Sequence, residues 1–125
     1  MPRVQRIYDF RSQEEPVSSP DVIPGNARYL SISLPFAGKE SSSVCFSSNE
    51  EMIGMLLKYA DNPMIQDMCT HMYDKIFFEE QSQDVYRRFF ADLMTVDPED
   101  GAVLWHCTQG KDRAGSASAM LLAAL

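Results

Sequence analysis

Apolar and polar positions change period several times along the chain, and each change predicts an element. Residues 4–10 are rich in β-branched and aromatic side chains and predict a strand. The next stretch carries Pro16, Pro20, Pro24, Gly25 and several serines, and reads as a loop holding at most a short turn of helix. Residues 27–34 predict a second strand, stopped by Pro35, and the polar, serine-rich residues 37–48 predict a mobile connection. Ser48 with Glu51 fits a capping box for a helix over 49–60, where Met52, Leu56 and Tyr59 recur at helical spacing. Asp61-Asn62-Pro63 breaks that helix. Met64, Met68 and Met72 then recur every fourth residue and predict a second helix over 63–79. Ser82 is placed to cap a third over 83–96, with Tyr86, Phe89, Phe90 and Leu93 apolar. After a turn at Asp97-Pro98-Glu99-Asp100-Gly101, residues 102–106 form a short continuous apolar run of the kind found in buried parallel strands. Residues 114–125, rich in Ala, Leu and small side chains, predict a packed helix.

Strand, strand, helices, strand, helix is the order of an α/β fold: a small, mainly parallel sheet flanked by helices. The 125 residues suit one domain over 1–125. The last helix ends on Ala119-Met120-Leu121-Leu122-Ala123-Ala124-Leu125, without a Gly, Asn or Pro stop or a polar end. The expectation is a fragment, or an end covered by something else. Uncovered apolar helix surfaces, including the stripe Met64, Met68, Met72, would favour a homo-oligomer.

Composition narrows the classes. The net charge of −7 excludes general binding to nucleic acid, which needs clustered basic charge, so any phosphate site is a local positive spot. The cysteines Cys45, Cys69 and Cys107 are odd in number and lack C-x-x-C spacing, against a disulfide framework or a zinc site. No metal and no other cofactor is expected. A lone thiol suits a reducing, cytoplasmic setting, although export without a signal peptide stays open. No segment has the apolar length for stable membrane insertion.

The chemistry concentrates between the last strand and the last helix. Cys107 closes the strand, five residues follow, and Arg113 opens the helix. Ligands in open α/β sheets bind at this edge. A short loop entering a helix N-terminus aims several backbone N–H groups at one point, where the helix dipole also favours an anion. Gly110 lets the backbone bend and approach a ligand, and the planar fork of Arg113 matches two phosphate oxygens. The same field favours a thiolate, the form of cysteine that attacks phosphorus. A nucleotide-binding G-x-x-x-x-G-K-[ST] loop does not fit, because Asp112 follows Gly110-Lys111 and the first glycine is missing.

His106-Cys107-x-x-Gly110-Lys111-Asp112-Arg113-x-Gly115 resembles the H-C-x-x-G-x-x-R-[ST]-G signature of the protein tyrosine phosphatase superfamily. Its Lys-Asp-Arg form is similar to that of microbial tyrosine and phosphoinositide phosphatases. Tyr8-Asp9-Phe10-Arg11-Ser12 with Glu15 resembles the D-L-R-S-x-x-E block of the same family, and Leu34-Pro35 the end of its next strand. The resemblance is specific over 102–122, fair over 4–35 and vague over 36–100. Family members usually carry a further strand and an Arg-Asp-Leu-Gly-Gly block before the first match and further helices after the last, so the resemblance also implies incompleteness at both ends.

The resemblance implies a cysteine-dependent hydrolase of phosphorylated proteins or phosphoinositides. Cys107 would be the nucleophile and Arg113 the phosphate clamp. Thr108, Gln109, Gly110, Lys111, Asp112 and Arg113 would form the cradle. No Trp-Pro-Asp loop supplies a general acid, which leaves Asp112, in the loop, and Asp9, at the same sheet edge. Asp112 could instead cap the helix, and Asp9 could instead hold Arg11 or its loop. His106 reads as a support for the loop rather than as a base. Ala114 departs from the pattern, since the Ser or Thr hydroxyl that normally bonds the sulfur is absent, with Ser116 two residues on. A phosphate-binding pseudophosphatase is therefore a second reading, and a rhodanese-like sulfur-transfer loop a third.

Overall fold

The computed structural model describes residues 3–35 and 49–125. Strand β1 (Val4–Asp9) lies at the centre of a three-stranded sheet, with β2 (Arg28–Ser31) on one side and β3 (Ala102–His106) on the other. Both pairings are parallel. The register sets Asp9 opposite Ser31 and His106, so all three strands end at one edge. Between them run α1 (Glu15–Ser18), α2 (Asn49–Lys58), α3 (Pro63–Phe78) and α4 (Glu80–Leu93), and α5 (Arg113–Ala124) follows β3. The α/β class and the small parallel sheet are as the sequence predicts.

Alternation along the strands divides the side chains. Tyr8 and Phe10 of the β1 segment, Val103 and Trp105 of β3, and Ile32 and Leu34 beyond β2 join one core. Helix α4 supplies the opposite wall with Val85, Tyr86 and Phe89, spaced to form a single stripe. Phe89 stands edge-on to Tyr8, Phe10 and Trp105, with centroids 4.9, 5.2 and 5.9 Å away. Polar contacts repeat the docking: Asp92 of α4 accepts from the Arg6 guanidinium at 2.7 Å and the Tyr8 hydroxyl at 2.6 Å. Helix α5 closes the core with Ala114 and Ala117, and Trp105 Nε1 donates to Ser118 Oγ at 2.9 Å.

Several boundaries differ from the sequence reading. Strand β2 is shorter than predicted, yet Ile32 and Leu34 still donate to the carbonyls of Asp9 and Phe10. Ser82 is not a cap. Helix α4 starts at Glu80, Ser82 is fully buried within its first turn, and its hydroxyl donates to the Lys75 carbonyl of α3 at 2.6 Å. Asn62, read as part of a break, caps α3 by accepting from Met64 N–H at 2.9 Å. On α3, Met64 is exposed, whereas Ile76 is fully buried. The connection predicted over 37–48 and the cap at Ser48 lie outside the described residues. Before β3, Gly101 has φ +124°, and a Cβ there would stand 2.2 Å from the Arg3 carbonyl oxygen, which the neighbouring Ala102 N–H bonds.

Candidate active site

The loop from Cys107 to Asp112 leaves β3 at the common strand edge and runs into α5. Cys107 continues the core-facing positions Val103 and Trp105 and is buried at 8% exposure, beside Ala114 and Ala117 in the core cluster. Thr108, Gln109 and Gly110 are exposed. Gly110 has φ +68°, yet a Cβ would meet nothing within 4 Å, so backbone conformation rather than space requires glycine.

Arg113, the first residue of α5, is 4% exposed. Its fork is met by Glu15 of α1: Nη1 donates to Oε2 at 2.8 Å and Nη2 to Oε1 at 2.9 Å. Nη2 also reaches Thr108 Oγ1 at 3.1 Å, and the Thr108 hydroxyl donates to Glu15 Oε1. The Ser12 N–H donates to Glu15 Oε2 at 2.6 Å. Burial alone would raise the Glu15 carboxyl, but the bonds from Arg113, Thr108 and Ser12 outweigh it and bring the group down to about 2. These bonds fix the guanidinium beside the loop.

Asp112 precedes α5 but does not cap it with its side chain. Its Oδ1 accepts from the hydroxyl of Tyr73 on α3, with Lys111 Nζ 4.0 Å from the same oxygen. Lys111 otherwise projects outward.

Asp9 is fully buried and held from several sides. Arg11 donates from its backbone N–H at 2.9 Å, from Nε at 2.9 and 3.0 Å and from Nη2 at 2.7 Å, and the Tyr29 hydroxyl donates as well. Burial is overcome by these donors, and the carboxyl is held below its ordinary range. Asp9 pairs in register with His106 and lies on the sheet face opposite Tyr8, Phe10 and Cys107. The contact with Arg11 weighed against a catalytic role is thus the one present.

His106 bonds Asp21 through Nε2 at 2.9 Å and the Cys107 carbonyl through Nδ1 at 3.2 Å, which fits a support for the loop. Asp9, Asp21 and His106 could together offer three metal ligands. Arg11 Nη2 already lies 2.7 Å from Asp9 and 2.9 Å from Asp21, so a guanidinium occupies the position a cation would take between them. Ala114 is buried. The nearby hydroxyls have other neighbours, Ser116 beside Tyr86 and Ser118 between Trp105 and the Ala114 carbonyl.

Residues 2–125 match the tyrosine phosphatase family. The chain belongs to that family. It is a phosphatase-like hydrolase, and the match spans the weakly patterned middle of the chain as well as the loop. No curated protein matches it. In this phosphatase the sequence reading placed the loop but gave no role to Glu15 or Tyr73. Glu15 had a signal, its place in the Asp9–Glu15 block. Tyr73 had none, being an ordinary aromatic in a helix 39 residues from its partner. Among the described residues, no helix is long and apolar enough to cross a membrane.

Proposed function

We propose that the chain hydrolyses phosphomonoesters through a phosphocysteine. The Cys107 thiolate attacks phosphorus, forming the S–P bond as the P–O ester bond breaks. Asp112 gives its proton to the departing oxygen. Water then attacks phosphorus and yields a proton to Asp112, the S–P bond breaks, and thiolate and inorganic phosphate remain. Arg113 and the backbone from Thr108 to Arg113 hold the phosphoryl oxygens, where charge is spread in the transition state. Asp9 supports the site from the far face of the sheet. The observation that carries this reading is the buried Arg113, its fork set by Glu15 at the start of the helix that follows Cys107. A guanidinium held in one orientation beside the loop suits recognition of an oxyanion, and a persulfide-carrying loop needs none at this spacing. The substrate class is a phosphorylated protein, on tyrosine or with dual specificity, or a phosphoinositide, and Lys111 suits the more highly charged headgroup.

Ala114 favours a second reading, a pseudophosphatase that binds phosphate without turnover. Ser116 stands beside Tyr86, and Ser118 bonds Trp105 and the Ala114 carbonyl, so both hydroxyls have neighbours other than the sulfur. The test is hydrolysis of a generic aryl phosphate by the wild type beside Cys107→Ser and Arg113→Ala, with vanadate as competitor. Vanadate-sensitive turnover lost in both variants supports the enzyme. A folded chain that binds vanadate or phosphate without turnover supports the pseudophosphatase.

A further inference from the structure

The hydroxyl of Tyr73 is a polar group brought to the loop from α3. Its position is set by the far half of α3. Ile76 is fully buried, Phe77 lies nearly parallel to Tyr86 of α4 at 6.4 Å, and Ser82 ties the Lys75 carbonyl to the start of α4. Tyr73, Ile76 and Phe77 are spaced i, i+3, i+4 and so share one face of the helix. The packing that buries Ile76 therefore delivers the Tyr73 ring to the mouth of the loop, where it stays 42% exposed.

We propose that Tyr73 is a positioning residue for proton transfer by Asp112, fixing the carboxyl through Oδ1 so that Oδ2 faces the leaving oxygen. This rests on Asp112 as the general acid. An oxygen that accepts from a phenol does not readily carry the carboxyl's own proton, so the acidic proton sits on Oδ2. Lys111, also toward Oδ1, strengthens the same asymmetry. The tether additionally limits rotation of a side chain that does not cap its own helix. A general acid contributes on the order of 10²–10⁴-fold, and that contribution depends on orientation.

The test compares a phenyl phosphate activated by an electron-withdrawing group, whose phenolate leaves almost unaided, with unsubstituted phenyl phosphate, whose phenolate needs the proton. Asp112→Asn is expected to lose kcat/KM, which reports formation of the phosphocysteine and not its breakdown, about a hundredfold on the unactivated ester and far less on the activated one. Tyr73→Phe keeps the ring and is expected to lose about tenfold on the unactivated ester and roughly threefold or less on the activated one. In the Asp112→Asn background, Tyr73→Phe should add no further loss. Equal losses on both esters, or a further loss in that background, would overturn the role of Tyr73. Absence of leaving-group bias in Asp112→Asn would remove the general acid itself, and the Tyr73 proposal with it. Bias in Asp112→Asn but not in Tyr73→Phe would remove only the latter. A second readout needs no turnover. The bond to Asp112 holds the Tyr73 phenol above the ordinary tyrosine range, so its titration, followed by NMR of ring-labelled tyrosine, should move down in Asp112→Asn. An unmoved titration would overturn the contact.

Discussion

Replacing Glu15 with Gln removes one charge from the Arg113 clamp while keeping the side chain's size and one acceptor oxygen. The Arg113 side chain is 5% exposed and that of Glu15 28%, so the pair is shielded enough for its electrostatics to reach stability. Lowering the Glu15 carboxyl from 4.5 to about 2 corresponds to roughly 3 kcal/mol of preferential interaction with the ionised form. Breaking a buried pair by removing one partner costs about 3–5 kcal/mol, and the Gln oxygen recovers part of that. The expected loss at pH 7 is therefore about 2–3 kcal/mol. A depressed carboxyl stabilises the fold fully above its unfolded value, and the contribution is lost as pH falls through its folded value. The gap between wild type and Glu15→Gln should thus be constant at neutral pH, shrink as pH falls below about 4.5, and close near 2. Urea unfolding of both proteins across that window measures it. A gap under about 1 kcal/mol at pH 7, or one that does not change with acid, would refute the clamp as described. On the proposed mechanism activity should fall as well, by at least about tenfold in kcat/KM, because a loosened guanidinium would no longer meet the phosphoryl oxygens in register.

Gly101→Ala is expected to destabilise by at least about 2 kcal/mol in thermal unfolding, because the new Cβ would overlap the Arg3 carbonyl. Gly110→Ala, with φ +68° but open space, should cost only about 1–2 kcal/mol while weakening vanadate binding; equal effects of the two would contradict the geometry. Ala114→Ser returns a hydroxyl beside the sulfur, and since a hydrogen bond to a charged group contributes about 1.5–3 kcal/mol, breakdown of the phosphocysteine should quicken by an order of magnitude or so, seen as a smaller burst and a higher kcat. Asp9→Asn should destabilise by about 3 kcal/mol or more and lower activity equally on activated and unactivated esters; a leaving-group bias like that of Asp112→Asn would make Asp9 the acid instead.

The fold was legible where one period ran uninterrupted. Tyr86, Phe89, Phe90 and Leu93 announce the apolar face of α4, and the run over 102–106 announces β3. The start of α4 was missed because Glu79 ends α3 and also precedes α4, so no loop separates the helices. A serine near a helix start looks like a cap, and only its position three residues before Val85, on the apolar stripe, marks Ser82 as buried. At the site, Cys107, Gly110 and Arg113 are local and readable from spacing. Their partners are not readable from spacing: Glu15, marked only by its place in the Asp9–Glu15 block, lies 98 residues from Arg113, and Tyr73 lies 39 from Asp112. Contacts across such separations leave no period in a sequence. Asp9 was readable only in part, since the sheet edge placed it near Cys107 while strand alternation put its carboxylate on the other face.

The block from Asp9 to Glu15 explains how a clamp residue on a four-residue helix can be placed firmly enough to orient an arginine. Alone, α1 is too short to hold its own position. It is held instead at both ends by Arg11, which is anchored on Asp9 and reaches across the loop, Nη1 donating to the Ser19 carbonyl at 2.9 Å and Nη2 lying 2.9 Å from Asp21. Tyr29 fixes Asp9 from β2, and His106 fixes Asp21 from the end of β3. The loop that carries Glu15 is thus tied to all three strands, including the strand that ends in Cys107. With Glu15 held in this way, its two bonds from Arg113 set the guanidinium beside the loop that follows Cys107.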